Sequence, residues 1–219
     1  MSRQRWLRVV LSFFALWTAA WLLHIFLVQT LHLWSQVQIG RDTIYWLVMK
    51  IVIWICWPML FFRGRVPGQR NFIGMAPEFA RRGVRWGLAA SGIWIILSSL
   101  SAILFHQHLA WPQVWWISAY AALVTPLLEE LTFRGYILTG LQSTKLDGRP
   151  ANLITSVLFV LIHFIGWSFQ GVFLQNIHST LWVSIFVLSM VLGFIRIHSK
   201  SLWSSVILHV VNNSVAAFL

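Results

Sequence analysis

Two adjacent glutamates and an arginine one turn further on, Glu129, Glu130 and Arg134, lie inside a long apolar run. An ionised group in hydrocarbon costs at least ~2.5–3.5 kcal/mol on the insertion scale and usually serves a function. The whole chain has only five acidic residues, so two of them side by side here is a concentration. Helical geometry sorts the three. Glu130 and Arg134 are four apart with the glutamate first, the favoured order for an ion pair on one face. Glu129 is turned about 100° from that face. Glu130 and Arg134 are therefore assigned as a structural ion pair. Glu129 is assigned to chemistry, because a carboxylate in a low-dielectric site can act as a general base.

Two more polar groupings interrupt apolar runs. One is Phe159-x-x-x-His163; the other is His209-x-x-x-Asn213, whose spacing puts both side chains on one helix face. A single histidine in a helix bundle is ordinarily a hydrogen-bonded packing residue. Depth argues otherwise here. Counted along a 1.5 Å rise, Glu129 lies ~18 Å from Leu141, His163 ~16 Å from Asn152, and Asn213 ~16 Å from Leu202. Three helices thus carry their strong polar groups at one level, which predicts a shared polar cavity.

The elements that must position them follow from composition. Of 219 residues, 58% are hydrophobic and 10% charged. Soluble domains carry roughly 45–50% apolar and about 25% charged residues, so lipid must be the solvent for much of this chain. The expected fold is all-α: a polytopic transmembrane bundle of about seven helices in a single membrane domain, residues 1–219. The spans read as Trp6–Val28, Thr43–Phe62, Val84–Phe105, Val114–Leu141, Asn152–Leu174, Ile177–Ile197 and Leu202–Leu219. The first follows three arginines but is too long for a signal peptide and lacks a cleavage motif, so it reads as a retained anchor. With only six residues after Asn213, no further helix is expected.

The net charge of +11 sits in alternate connections: Arg3, Arg5 and Arg8; then Arg63, Arg65, Arg70, Arg81, Arg82 and Arg85; then Lys145 and Arg149; then Arg196 and Lys200. This is topogenic charge facing anionic lipid, and nucleic acid is excluded as a partner. It places the N-terminus in the cytosol of a multi-pass protein of the cell membrane; an even number of spans would break the alternation. Fifteen tryptophans suit the headgroup zone. Residues 63–85 read as a polar loop, with room for a short interfacial helix. Cys56 reads as an inert packing residue, and Lys50 as a snorkelling side chain. His24, His32, His106, His108, His178 and His198 fall near span ends or in loops, where solvated histidine is the default. Gly83-Val-Arg-Trp-Gly87 has GxxxG spacing beside arginines at a membrane edge and reads as chance.

The order Glu129-Glu130-Leu131-Thr132-Phe133-Arg134, then Phe159-Val-Leu-Ile-His163, then His209-Val-Val-Asn-Asn213 resembles the CPBP (CAAX-protease and bacteriocin-processing, or Abi) family of intramembrane endopeptidases. The resemblance covers residues 114–217, a peptidase core. It implies hydrolysis of a membrane-associated or hydrophobic peptide, with membrane lipids as the other partner. By analogy, Glu129 activates a water with help from His163, and His209 and Asn213 stabilise the oxyanion. Chemistry leaves the metal question open, since Glu129, His163 and His209 could hold zinc with one position free. No cofactor is the preferred reading: the helical His-Glu-x-x-His signature is absent, and Asn213 suits a donor better than a zinc ligand. Thr132 replaces a more usual aliphatic residue, and Asn212 leaves a one-residue ambiguity beside Asn213. Nothing in the residues identifies a prenyl-protein substrate. Two other classes fit buried Glu, His and Arg: a proton-coupled transporter, which lacks an inverted repeat here, and a non-catalytic scaffold or immunity-type protein.

Overall fold

The computed structural model describes residues 2–30, 38–62, 72–104, 106 and 119–218. Among these described residues, eight helices follow in chain order. They are α1 (Arg3–Ile25), α2 (residues 38–62), α3 (Pro77–Leu104), α4 (residues 120–142), α5 (Gly148–Phe169), α6 (Phe173–His178), α7 (Leu181–Ser199) and α8 (Leu202–Ala216). Among the described residues, five helical stretches are long and apolar enough to cross a bilayer: Arg3–Val28, Thr43–Phe61, Pro77–Leu104, Gly148–Phe169 and Leu181–Ser199. With α4 and the shorter α8 they make the all-α polytopic bundle, and the protein is a multi-pass membrane protein. Residues 63–71 of the expected loop lie outside the described residues.

The chain groups into two compact units, Met1–Arg65 with Gly140–Met190 and Val66–Thr139 with Val191–Leu219. In the first unit, α1 opens on Ser2, whose side chain accepts from the Arg5 amide at 3.3 Å. That satisfies one of the donors a helix start leaves over. Its buried positions, Val9, Val10, Phe13, Trp17, Ala20 and Trp21, recur every three or four residues and form one stripe. Against them lie Trp46 and Trp54 of α2 and Phe169 of α5. Ring centroids are 4.9 Å apart for Trp17–Trp54, 4.1 Å for Trp21–Trp46 and 5.8 Å for Trp21–Phe169. Gly166 of α5 carries no side chain where the Trp21 ring approaches. Trp17, Trp21 and Trp54 are buried within the protein. The driving term is packing: in lipid, helices gain by van der Waals and aromatic contact with one another. Lys50 lies over the Trp54 ring at 5.2 Å, so its charge is met by a π face. Cys56, expected to pack, is exposed on α2.

In the second unit, α3 starts at Pro77 rather than at Val84. Proline is pre-set for a first helical turn, and Glu78 in that turn meets the positive helix end. The apolar span and the helix are thus different lengths, because the first turns are helical but polar. Helix α3 runs parallel to α8, with Gly83 against Ser201 and Trp203, Gly87 against Ile207, and Trp94 against Asn212. A Cβ on Gly83 would overlap the Ser201 side chain, and one on Gly87 would come within 2.9 Å of Ile207 Cβ. The GxxxG spacing, read as chance, is a within-chain helix crossing that only glycine permits. Helix α4 runs antiparallel to α8: Ala121 meets Asn213, and Glu130 meets His209. The turn into α8 is clamped by Gly74, whose carbonyl accepts from the Leu202 amide at 2.9 Å. Gly74 has φ +76°, and a Cβ there would stand 2.7 Å from the buried Arg196 guanidinium.

Gly83→Leu is expected to lower stability by roughly 1–3 kcal/mol through overpacking. Gly92→Ala, on the same helix with open space around it, is the control and should not destabilise. Thermal unfolding of both variants in detergent checks this.

Candidate active site

The acidic pair of α4 sits at a change of helical register. Thr125–Glu130 is α-helical, and Leu131–Leu138 continues as a wide π-helical stretch with i→i+5 hydrogen bonds. Such turns are rare and frequently mark functional sites. Two hydroxyls stitch the stretch to its surroundings: Thr132 donates to the Leu128 carbonyl and Thr139 to the Arg134 carbonyl, both at 3.0 Å. Gly135 faces Ile73 at ordinary contact distance.

Four ionisable side chains meet here. Glu130 and Arg134 are fully buried, and Glu129 and His209 are 7% and 3% exposed. One oxygen, Glu130 Oε1, accepts twice: from Arg134 Nη1 at 2.8 Å and from His209 Nδ1 at 2.8 Å. A carboxylate can only accept when ionised, so Nδ1 of His209 carries its proton. The other ring nitrogen, Nε2, lies 3.7 Å from Glu129 Oε2. The imidazole therefore spans the 100° between the two glutamates, with one nitrogen for each. The helical spacing placed Glu130 with Arg134; it gave no sign that Glu130 also holds a histidine 79 residues away.

Asn213 stands one turn beyond His209 and is half-buried. Its Nδ2 donates to the Ala121 carbonyl of α4 at 3.0 Å. Asn212 is its neighbour in a chain of hydrogen bonds: Asn212 Nδ2 donates to Asn213 Oδ1 at 2.9 Å, and Trp94 Nε1 donates to Asn212 Oδ1 at 3.0 Å. Sequence spacing could not reveal Trp94 or the Ala121 carbonyl, since neither belongs to a charged or periodic pattern.

His163 belongs to α5 and to the other compact unit. Its Nδ1 donates to the Phe159 carbonyl at 2.8 Å, which fixes the proton on that nitrogen and makes Nε2 the basic one in the neutral ring. Phe159 and Trp167 flank it, with ring centroids at 4.9 and 6.0 Å. The Phe-x-x-x-His spacing is thus a local device: the residue four positions earlier supplies both the carbonyl and a ring. Among the described residues, no group of three His, Cys, Asp or Glu side chains is placed to hold a metal ion.

The fold and this cluster define a class: a helical membrane protein with a protected set of carboxylate, imidazole and amide groups inside its apolar helices. Residues 110–215 match the family described as type II CAAX prenyl endopeptidase, Rce1-like. The match spans all three motifs and is to the CPBP group of CAAX-type membrane endopeptidases that those motifs resemble. No curated protein and no solved structure matches the chain.

Glu130→Ala leaves a buried arginine without its counter-charge and is expected to cost roughly 3–5 kcal/mol. Replacing both partners, Glu130→Leu with Arg134→Met, should return much of that stability, because apolar side chains of similar volume can replace a buried pair. Activity should stay lost, since His209 has still lost its anchor. Unfolding and peptide-cleavage assays on the two variants separate these outcomes.

Proposed function

We propose that the protein hydrolyses a peptide bond of a membrane-associated or hydrophobic peptide, with Glu129 as the base that activates water. The observation that carries this reading is the His209 ring held between Glu130 and Glu129. Glu129 accepts a proton from water as the oxygen attacks the scissile carbonyl carbon. The carbonyl oxygen becomes the oxyanion, which His209 and Asn213 stabilise as donors. Collapse breaks the C–N bond, and the proton held by Glu129 passes to the leaving amine. His163 assists the water through its basic Nε2. Preorganised donors in a dry site are worth most at such a developing charge.

Geometry supports a role for His209: with Nδ1 held by Glu130, Nε2 is the ring nitrogen left to face the reaction beside Glu129. Metal-independent catalysis is the reading we favour, because His209 Nδ1 is committed to Glu130 and the helical His-Glu-x-x-His signature is absent from the sequence. The zinc alternative would use Glu129, His163 and His209. The basic connections support a cytosolic N-terminus in a cell membrane, with access to the site from the cytosolic side. The family description makes a prenylated Cys-aliphatic-aliphatic-X peptide the first probe, beside an unprenylated apolar peptide.

In proteoliposomes, Glu129→Gln should slow cleavage by at least about a hundredfold, the scale of general-base catalysis, with unchanged unfolding temperature. Full cleavage by this variant would sink the assignment. Proton flux that depends on Glu129 with no peptide cut would establish transport instead. Separately, wild-type protein dialysed against a strong chelator should keep its activity; loss restored by added zinc would establish the metal-dependent route.

A further inference from the structure

We infer that Trp94 is a positioning residue that sets which way the Asn213 amide points. This rests on the proposed role of Asn213 as an oxyanion donor and adds a residue from α3, outside the segment matched to the family. The argument is one of hydrogen-bond polarity. An asparagine amide has one end that accepts and one that donates, and turning it over exchanges them. Indole N–H can only donate, so Trp94 at 3.0 Å requires the oxygen of Asn212 to face it. That leaves the Asn212 NH₂ to donate, at 2.9 Å, to the oxygen of Asn213. The NH₂ of Asn213 then points the other way. One of its hydrogens goes to the Ala121 carbonyl at 3.0 Å, a group that can only accept. The second hydrogen is engaged by no other described residue.

A chain with a donor-only start and an acceptor-only end has one polarity. Turning Asn213 alone would oppose oxygen to the Ala121 carbonyl and NH₂ to NH₂. Turning both asparagines together would oppose the Asn212 NH₂ to the indole N–H and the Asn213 oxygen to the Ala121 carbonyl. Trp94 and Ala121 thus fix the polarity of the pair from its two ends. The close crossing at Gly83 and Gly87 brings this part of α3 to α8. The small residues of the helix therefore serve the reaction centre through its tryptophan.

The test uses full-length protein in proteoliposomes and the peptide that wild type cleaves. Trp94→Phe keeps an aromatic ring and removes the N–H. It should lower kcat about three- to tenfold, the worth of one hydrogen bond, with KM within about twofold and unchanged unfolding temperature. Asn212→Asp replaces the middle donor with an acceptor, forces the Asn213 NH₂ to turn toward it, and should slow kcat to the level of Asn213→Ala. In an Asn213→Ala background, Trp94→Phe should cost nothing further, because both changes remove one contribution. A wild-type kcat in Trp94→Phe and Asn212→Asp, with Asn213→Ala slow, overturns the positioning role alone. So does a Trp94→Phe loss that persists undiminished beside Asn213→Ala. A wild-type kcat in Asn213→Ala overturns the oxyanion role and this inference with it.

Discussion

A carboxylate enclosed by apolar helices has to be compensated by groups built into the protein, and Glu130 is where this chain meets that demand. Its one oxygen holds Arg134 from its own helix and His209 from α8. The intrahelical contact follows from four-residue spacing and forms with the helix itself. The contact to His209 forms only when α8 is in place. The same atom therefore links local structure to tertiary packing and orients the imidazole toward Glu129. An uncompensated charge in such a site costs several kcal/mol, which makes the geometry self-enforcing: helix positions that leave a member of the cluster unmet are disfavoured.

The packing around α8 shows how the surrounding helices reach that arrangement. Helix α4 lies antiparallel to it and brings the acids; α3 lies parallel and brings Trp94. Parallel neighbours suit the third and seventh spans of an alternating bundle. Their close approach depends on Gly83 and Gly87, since van der Waals contact replaces the hydrophobic effect as the force between helices in lipid. The other unit solves the same problem by different means. It interlocks large aromatic rings along the stripe of α1 and leaves Gly166 open where Trp21 approaches.

Sequence made the architecture and the acidic pair legible, because both are written in short-range patterns: runs of apolar residues, and charges four apart on one helix. The family motifs were legible for the same reason, each falling within five or six consecutive residues. The hydrogen-bond partners of Asn212, and the histidine that Glu130 holds, were not. Trp94 and Asn212 are 118 residues apart, and an uncharged indole among fifteen tryptophans carries no mark of its partner. The glycines of α3 were visible but misjudged. The arginines beside them suggested a membrane edge, whereas the polar turns belong to a helix that starts before the apolar span does. That Trp17, Trp21 and Trp54 would pack against one another was not legible either, because composition reports how much a residue type favours an interface, not which helix faces it.

The wide turns of α4 bear on how the helix tolerates changes in length. An i→i+5 turn holds one residue more than an α-turn. Between Leu131 and Leu138, an insertion or deletion of one residue can exchange one kind of turn for the other. The phase error, about 100° per residue in an α-helix, is then absorbed within the stretch rather than passed along it. Thr125–Glu130 has no such reserve: it is α-helical throughout, and one residue gained there would swing both carboxylates off the imidazole. Drift in chain length is thereby steered away from the six residues that end on the acids, which have π-helical turns on both sides.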